Sequence, residues 1–87
     1  MLSFEPHRRF KKNFNNLPKK VRQLAADKID LFLNDSFHSS LRAHKLHGIQ
    51  KDLYAFSINQ KYRILFGFQD PETVIFYDIG THSVYKK

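Results

Sequence analysis

The chain has 87 residues, with 15 Lys and Arg against 8 Asp and Glu, five His, no Cys and no Trp, and is 41% hydrophobic. A chain of this length buries only somewhat above roughly 60% of its unfolded surface. One core is therefore expected, in a single domain over residues 1–87, with nearly every Phe needed to fill it. Without Cys there is neither a disulfide framework nor a thiolate zinc site, which suits a reducing cytoplasm. The longest apolar stretches, such as Ile64-Leu65-Phe66-Gly67-Phe68, fall far short of the roughly 20 residues of a membrane span. At the N-terminus His7-Arg8-Arg9 and Lys11-Lys12 interrupt any signal-peptide core. A cytoplasmic protein without a membrane partner is expected.

The formal net charge is +7, which favours a polyanionic partner such as nucleic acid, an anionic surface or an acidic protein. Its distribution is one-sided. Between Arg8 and Arg22 stand seven basic residues (Arg8, Arg9, Lys11, Lys12, Lys19, Lys20, Arg22) and no acid. This block either contacts phosphates or forms a solvated helix surface.

In chain order, Leu2-Ser3-Phe4 reads as a short strand, and Pro6 suits the first turn of a helix, where a missing N–H is harmless. Phe10, Phe14 and Leu17 follow at i, i+4 and i+7, one buried stripe. Pro18 then opens a second helix in which Val21, Leu24, Ala25, Ile29, Phe32 and Leu33 recur on one side, until Asn34-Asp35-Ser36 stops it. The stretch from His44 to Gly48 reads as a loop or a strand entry. From Leu53 the period becomes two: Tyr54, Phe56 and Ile58 alternate with Ala55 and Ser57, and Tyr62, Ile64, Phe66 and Phe68 with Lys61, Arg63, Leu65 and Gly67. Asn59-Gln60 and Asp70-Pro71-Glu72 are the turns. Thr73–Ile79 is apolar on both faces, as a central strand would be. The expected class is α+β: an N-terminal strand, a two-helix hairpin and an antiparallel three-stranded meander, with helices on one sheet face.

Strand parity then proposes a site. If Tyr62, Ile64, Phe66 and Phe68 face the helices, Lys61 and Arg63 project from the opposite face. With Ile75, Tyr77 and Ile79 on the core side of the last strand, Asp78 and His82 join Arg63 there. An imidazole that moves protons and a guanidinium that stabilises charge on phosphorus are parts for phosphodiester cleavage. The acids are scattered, so no carboxylate cluster for metal ions is expected, and His44 with His47 lacks further ligands. No metal or other cofactor is assigned. From spacing alone Arg63 could equally pair with Asp78 across the sheet, His82 could be an idle surface histidine, and Tyr85 a packing residue.

The phrases Lys61-Tyr62-Arg63-Ile64-Leu65-Phe66 and Asp78-Ile79-Gly80-Thr81-His82-Ser83-Val84-Tyr85, taken with the order of elements, resemble the RelE/ParE toxin superfamily of bacterial type II toxin–antitoxin systems. The Gly-Thr-His near the end and the His-x-Leu-x-Gly of His44 to Gly48 are similar to its YafQ branch. The resemblance spans almost the whole chain. It implies a RelE/ParE-like fold and a toxin that acts as a ribosome-dependent, metal-independent mRNA endoribonuclease, in which the 2'-hydroxyl attacks the adjacent phosphate. It further implies catalytic roles for His82 as general acid or base, His44 as an assisting histidine, Arg63 as the cation on the transition-state phosphate, and Tyr85 as an aromatic that orients a base. Lys45, Lys51 and Lys61 would contact phosphates, and the basic residues of the hairpin would grip ribosomal RNA. The implied partners are the ribosome, mRNA and a cognate antitoxin, acidic where it binds the toxin.

The sequence departs from the YafQ branch at the acid before the third strand, where Gln60 or Lys61 stands. The superfamily also includes ParE-type inhibitors of DNA gyrase, which cleave no RNA, and an inactive basic binding module is a further alternative. Retention of Arg63 and His82 favours the nuclease.

Overall fold

The change of hydrophobic period near Leu53 marks the passage from helices to sheet. The computed structural model describes residues 1–46, 52–81 and 84. Along the chain follow β1 (Ser3–Pro6), α1 (Arg8–Asn15), α2 (Lys19–Asn34), a 3-10 turn (Ser39–Leu41), β2 (His44–Lys45), β3 (Tyr54–Ser57), β4 (Arg63–Asp70) and β5 (Thr73–Gly80). The strands form one five-stranded mixed sheet in the order β1-β5-β4-β3-β2. β1 lies parallel to β5, and the other neighbours are antiparallel.

Pro6 does not open the first helix. It ends β1, opposite Phe76 of β5, because an edge strand can spare the N–H that proline lacks. His7 caps α1 instead, its Nδ1 accepting from the Arg9 N–H at 3.1 Å. Pro18 does stand at the N-cap of α2. At the other end of α2 the Asn34 amide donates to the Asp30 carbonyl and the Ser36 hydroxyl to the Phe32 carbonyl. These short polar side chains compete with the helical ladder and end it.

Phe32 is the hub of the core. It stacks on Phe56 at 4.3 Å and meets Phe66 edge-on at 4.7 Å and Phe76 at 6.0 Å. Phe10, Ala25, Ile29, Ile64, Val74 and Ile79 complete this layer between helices and sheet. The core uses fewer of the phenylalanines than length arithmetic suggests, because Phe4, Phe37 and Phe68 are exposed. Phe68 keeps the expected parity, pairing with Val74, and its ring meets those of Tyr54 and Phe66 at 5.5 and 5.9 Å, but it remains exposed.

The parity expected for β5 is also corrected. Val74 and Phe76, not Ile75 and Tyr77, enter the core. A register shift follows: Phe66 pairs with Phe76, but Leu65 pairs with Asp78. The extra residue, Tyr77, forms a β-bulge, and beyond it the alternation resumes with Ile79 in the core. Strict period-two counting fails at a bulge.

Candidate active site and nucleic-acid interface

Directly paired residues in an antiparallel sheet share a face. His44 pairs with Ala55, Ala55 with Leu65, Ser57 with Arg63, and Arg63 with Gly80. His44, Ser57 and Arg63 thus stand on the face turned away from Phe56, Ile64 and Phe66. His44 and Arg63 are separated by two strand spacings, roughly 10 Å laterally. Of the four residues to which the resemblance gives catalytic roles, these two are brought onto one face. His82 and Tyr85 lie outside the described residues, as does Lys51.

Each of the two side chains is positioned by local backbone. The His44 ring is exposed, with Nδ1 2.9 Å from the Arg42 carbonyl oxygen. If that nitrogen carries the proton, it donates to the carbonyl, and Nε2 is left as a base facing solvent. Arg63 donates through Nη1 to the carbonyl of Asn59 at 3.0 Å, which draws the guanidinium toward the β3–β4 turn. That turn is built by Asn59, whose side-chain oxygen accepts from the N–H groups of Lys61 and Tyr62 at 2.8 and 2.7 Å. An asparagine that bonds the backbone two and three residues ahead makes the turn rigid. Arg63 is half-buried, a setting in which a fixed cation acts more strongly on a bound anion than it would in water.

Asp78 is engaged elsewhere. It is 5% exposed and accepts from the Asn13 amide of α1 at 2.6 Å and from the Ile79 N–H at 2.8 Å. Register sets Arg63 opposite Gly80, so the two residues are not cross-strand partners.

The basic residues fall into groups. Lys45 lies on the two-residue edge strand, paired with Tyr54, and Lys61 lies in the β3–β4 turn with its ammonium 5.6 Å from the Tyr62 ring centroid. Arg8, Arg9, Lys11 and Lys12 are exposed along α1, and Lys19 and Lys20 open α2. Arg22 is half-buried and donates to the Asn15 carbonyl at 3.2 Å, tying the two helices together. Neither helix has an acid in its first turn. Cations there oppose the helix dipole, at about 0.3–1 kcal/mol each. His7, Arg8, Arg9, Lys12 and Asn13 line an open cleft of ≈ 450 Å³.

A second basic cavity was not legible in the sequence. It measures ≈ 200 Å³ and is lined by Lys28, Ser40, Arg42, Ser57, Ile58, Asn59, Gln60 and Arg63, with no acid among the described residues. Lys28 and Arg42 are distant from Arg63 in the chain, so only the fold shows their convergence. Among the described residues no three His, Cys, Asp or Glu side chains group to hold a metal ion, and no helix is long and apolar enough to cross a membrane.

No family model matches the chain, and no curated protein matches it in sequence. Solved structures do. YafQ from E. coli superposes with a TM-score of 0.78 at 14% identity, over 97% of both chains. The E. coli DinJ–YafQ toxin–antitoxin complex gives 0.76 at 15% identity, over 95% of this chain and 94% of that one. RelE in the archaeal RelE–RelB complex from Pyrococcus horikoshii gives 0.71 at 18% identity, over 92% and 93%. The chain has the fold of RelE and YafQ. At such identities what is shared is the arrangement of backbone.

Proposed function

We propose that the protein is the toxin of a type II toxin–antitoxin pair, acting in the cytoplasm as one domain over residues 1–87, and that it is a ribosome-dependent, metal-independent mRNA endoribonuclease. The observation that carries this reading is the placement of His44 and Arg63 on one face of a sheet with the RelE/YafQ fold. The +7 charge, with basic cavities at two places, supports a polyanionic substrate. In the cleavage a base removes the proton of a 2'-hydroxyl, and the oxygen attacks the adjacent phosphorus. The 5'-oxygen then leaves with a proton from an acid, giving a 2',3'-cyclic phosphate and a 5'-hydroxyl end. His82 serves as acid or base, with His44 assisting, Arg63 neutralises the equatorial phosphate oxygens, and Tyr85 orients a base of the message. Lys45, Lys51 and Lys61 hold flanking phosphates, and Arg8, Arg9, Lys11, Lys12, Lys19, Lys20 and Arg22 hold ribosomal RNA. The partner that restrains the toxin is an antitoxin, acidic over its binding segment, as charge complementarity requires.

Primer extension on an mRNA in a reconstituted translation reaction tests this. Wild-type protein is expected to produce discrete cuts only when ribosomes are present, and Arg63→Ala and His82→Ala to lose them by a factor of roughly a hundred or more. Intact message with the wild-type protein would reject the nuclease, and a supercoiling assay would then separate a gyrase inhibitor from an inactive module.

A further inference from the structure

The cavity that joins Lys28 and Arg42 to Arg63 is built from three parts of the chain. α2 supplies Lys28, the 3-10 turn and its end supply Ser40 and Arg42, and the β3–β4 hairpin supplies Ser57, Asn59, Gln60 and Arg63. Three cations therefore converge on ≈ 200 Å³ with hydroxyl and amide groups between them and no acid among the described lining residues. Like charges brought together without a counter-charge raise the energy of the free protein and lower that of an anion bound among them. The backbone supports the same conclusion. Arg42 adopts a left-handed conformation, φ 51°, which is uncommon for a residue other than Gly, Asn or Asp. An arginine stands here although asparagine would meet the conformation at lower cost. Its carbonyl is also the group that contacts the His44 ring, so one residue links the cavity to the candidate catalytic histidine. Of the Arg63 guanidinium, only Nη1 is engaged among the described residues, and its partners are the Asn59 and Tyr62 carbonyls.

We propose that this cavity is a phosphate subsite, in which Lys28 and Arg42, together with Arg63, bind a backbone phosphate of an RNA strand next to the one being cleaved. It deepens the nuclease reading by fixing where the strand leaves the site: past the β3–β4 turn, toward α2. Ser57 donates its hydroxyl to a phosphate oxygen, and the three cations neutralise the charge. Arg63 thus belongs both to the catalytic face and to the subsite, whereas Lys28 and Arg42 belong to the subsite alone.

The probe is a short 2'-O-methyl oligoribonucleotide, which cannot be cut, bound by full-length protein at several salt concentrations. The variant is Lys28→Gln/Arg42→Asn, chosen because glutamine suits a helix and asparagine the left-handed backbone. Loss of this one phosphate contact should lower the slope of log affinity against log salt by about 0.7 and weaken binding about fivefold near 0.1 M salt. Circular dichroism and thermal melting confirm that the variant folds. A folded variant that binds the oligonucleotide with unchanged affinity and slope would overturn the subsite. So would a cavity in which inorganic phosphate at matched ionic strength perturbs the Arg42 and Arg63 side-chain NMR signals but the oligonucleotide does not. The cleavage reading fails separately, in the translation reaction, so loss of one result leaves the other intact.

Discussion

The two faces of the sheet solve different problems. On the helix-covered face, Phe56, Phe66 and Phe76 surround Phe32, and all four rings are nearly inaccessible. On the opposite face, Ala55, Ser57, Leu65 and Gly67 are buried as well, but their side chains are smaller than phenylalanine rings, and Arg63 stands half-buried beside them. The first face supplies stability through apolar area and ring packing. The second carries smaller side chains, the Ser57 hydroxyl and a half-buried cation. His44 is exposed and Arg63 half-buried, so changes to these side chains and to the rings of the first face should separate activity from stability.

The largest effect expected is from Phe32→Ala, which removes the ring that joins α2 to three strands. It should lower stability by about 3–5 kcal/mol, read by urea denaturation, enough to unfold much of a small domain. Asn13→Ala should follow, at about 1–3 kcal/mol, since it takes a donor from the buried Asp78 carboxylate. Gly67→Ala tests how closely the face that carries Arg63 is packed. A Cβ there would lie 3.0 Å from Tyr77 Cε2 and 3.2 Å from the Asp52 carbonyl oxygen. We expect a loss of about 1–2 kcal/mol from this crowding. A neutral result would mean that the Tyr77 ring moves aside. At the far end of the scale, His44→Ala should leave stability within about 0.5 kcal/mol, because the ring is exposed, and yet reduce message cleavage. If it lowered stability and cleavage together, the separation between the two faces would be broken.

Much of the helix-covered face is legible in the sequence. Ala25, Ile29 and Phe32 at helical spacing, and Phe56, Ile64 and Phe66 at alternating positions, identify the buried residues because burial imposes those periods. What defeats the same reasoning is local. The bulge at Tyr77 adds one residue and inverts the parity of Ile75 and Tyr77, and nothing in an unbroken apolar run marks its place. Pro6 suits a helix start as well as an edge strand, and the choice depends on pairing with β5. On the candidate catalytic face, alternation alone places Arg63 opposite the core. The contributions of Lys28 and Arg42 are long-range, set by where α2 ends and how the 3-10 turn returns the chain, and a one-dimensional pattern does not contain them.

The basic start of α1 offers the sharpest contrast between what the fold wants and what the proposed function wants. Arg8 and Arg9 occupy its first turn, where the free N–H groups and the helix dipole favour negative charge, and no acid compensates them. They also line a cleft with His7 and Lys12, so their charges repel each other as well as the dipole. Replacing both with Glu should therefore stabilise the folded protein, by about 0.3–1 kcal/mol at each position at low salt, with the gain shrinking as salt rises. The same change should weaken association with ribosomes and reduce cleavage of message in the translation reaction. Thermal melting and ribosome cosedimentation read the two effects on one preparation. Opposite signs would mean that these arginines are kept against the preference of the helix for the sake of a polyanionic partner. A stabilised variant with undiminished ribosome binding would instead make them a solvated surface and confine the functional charge to the sheet face and its adjoining cavity.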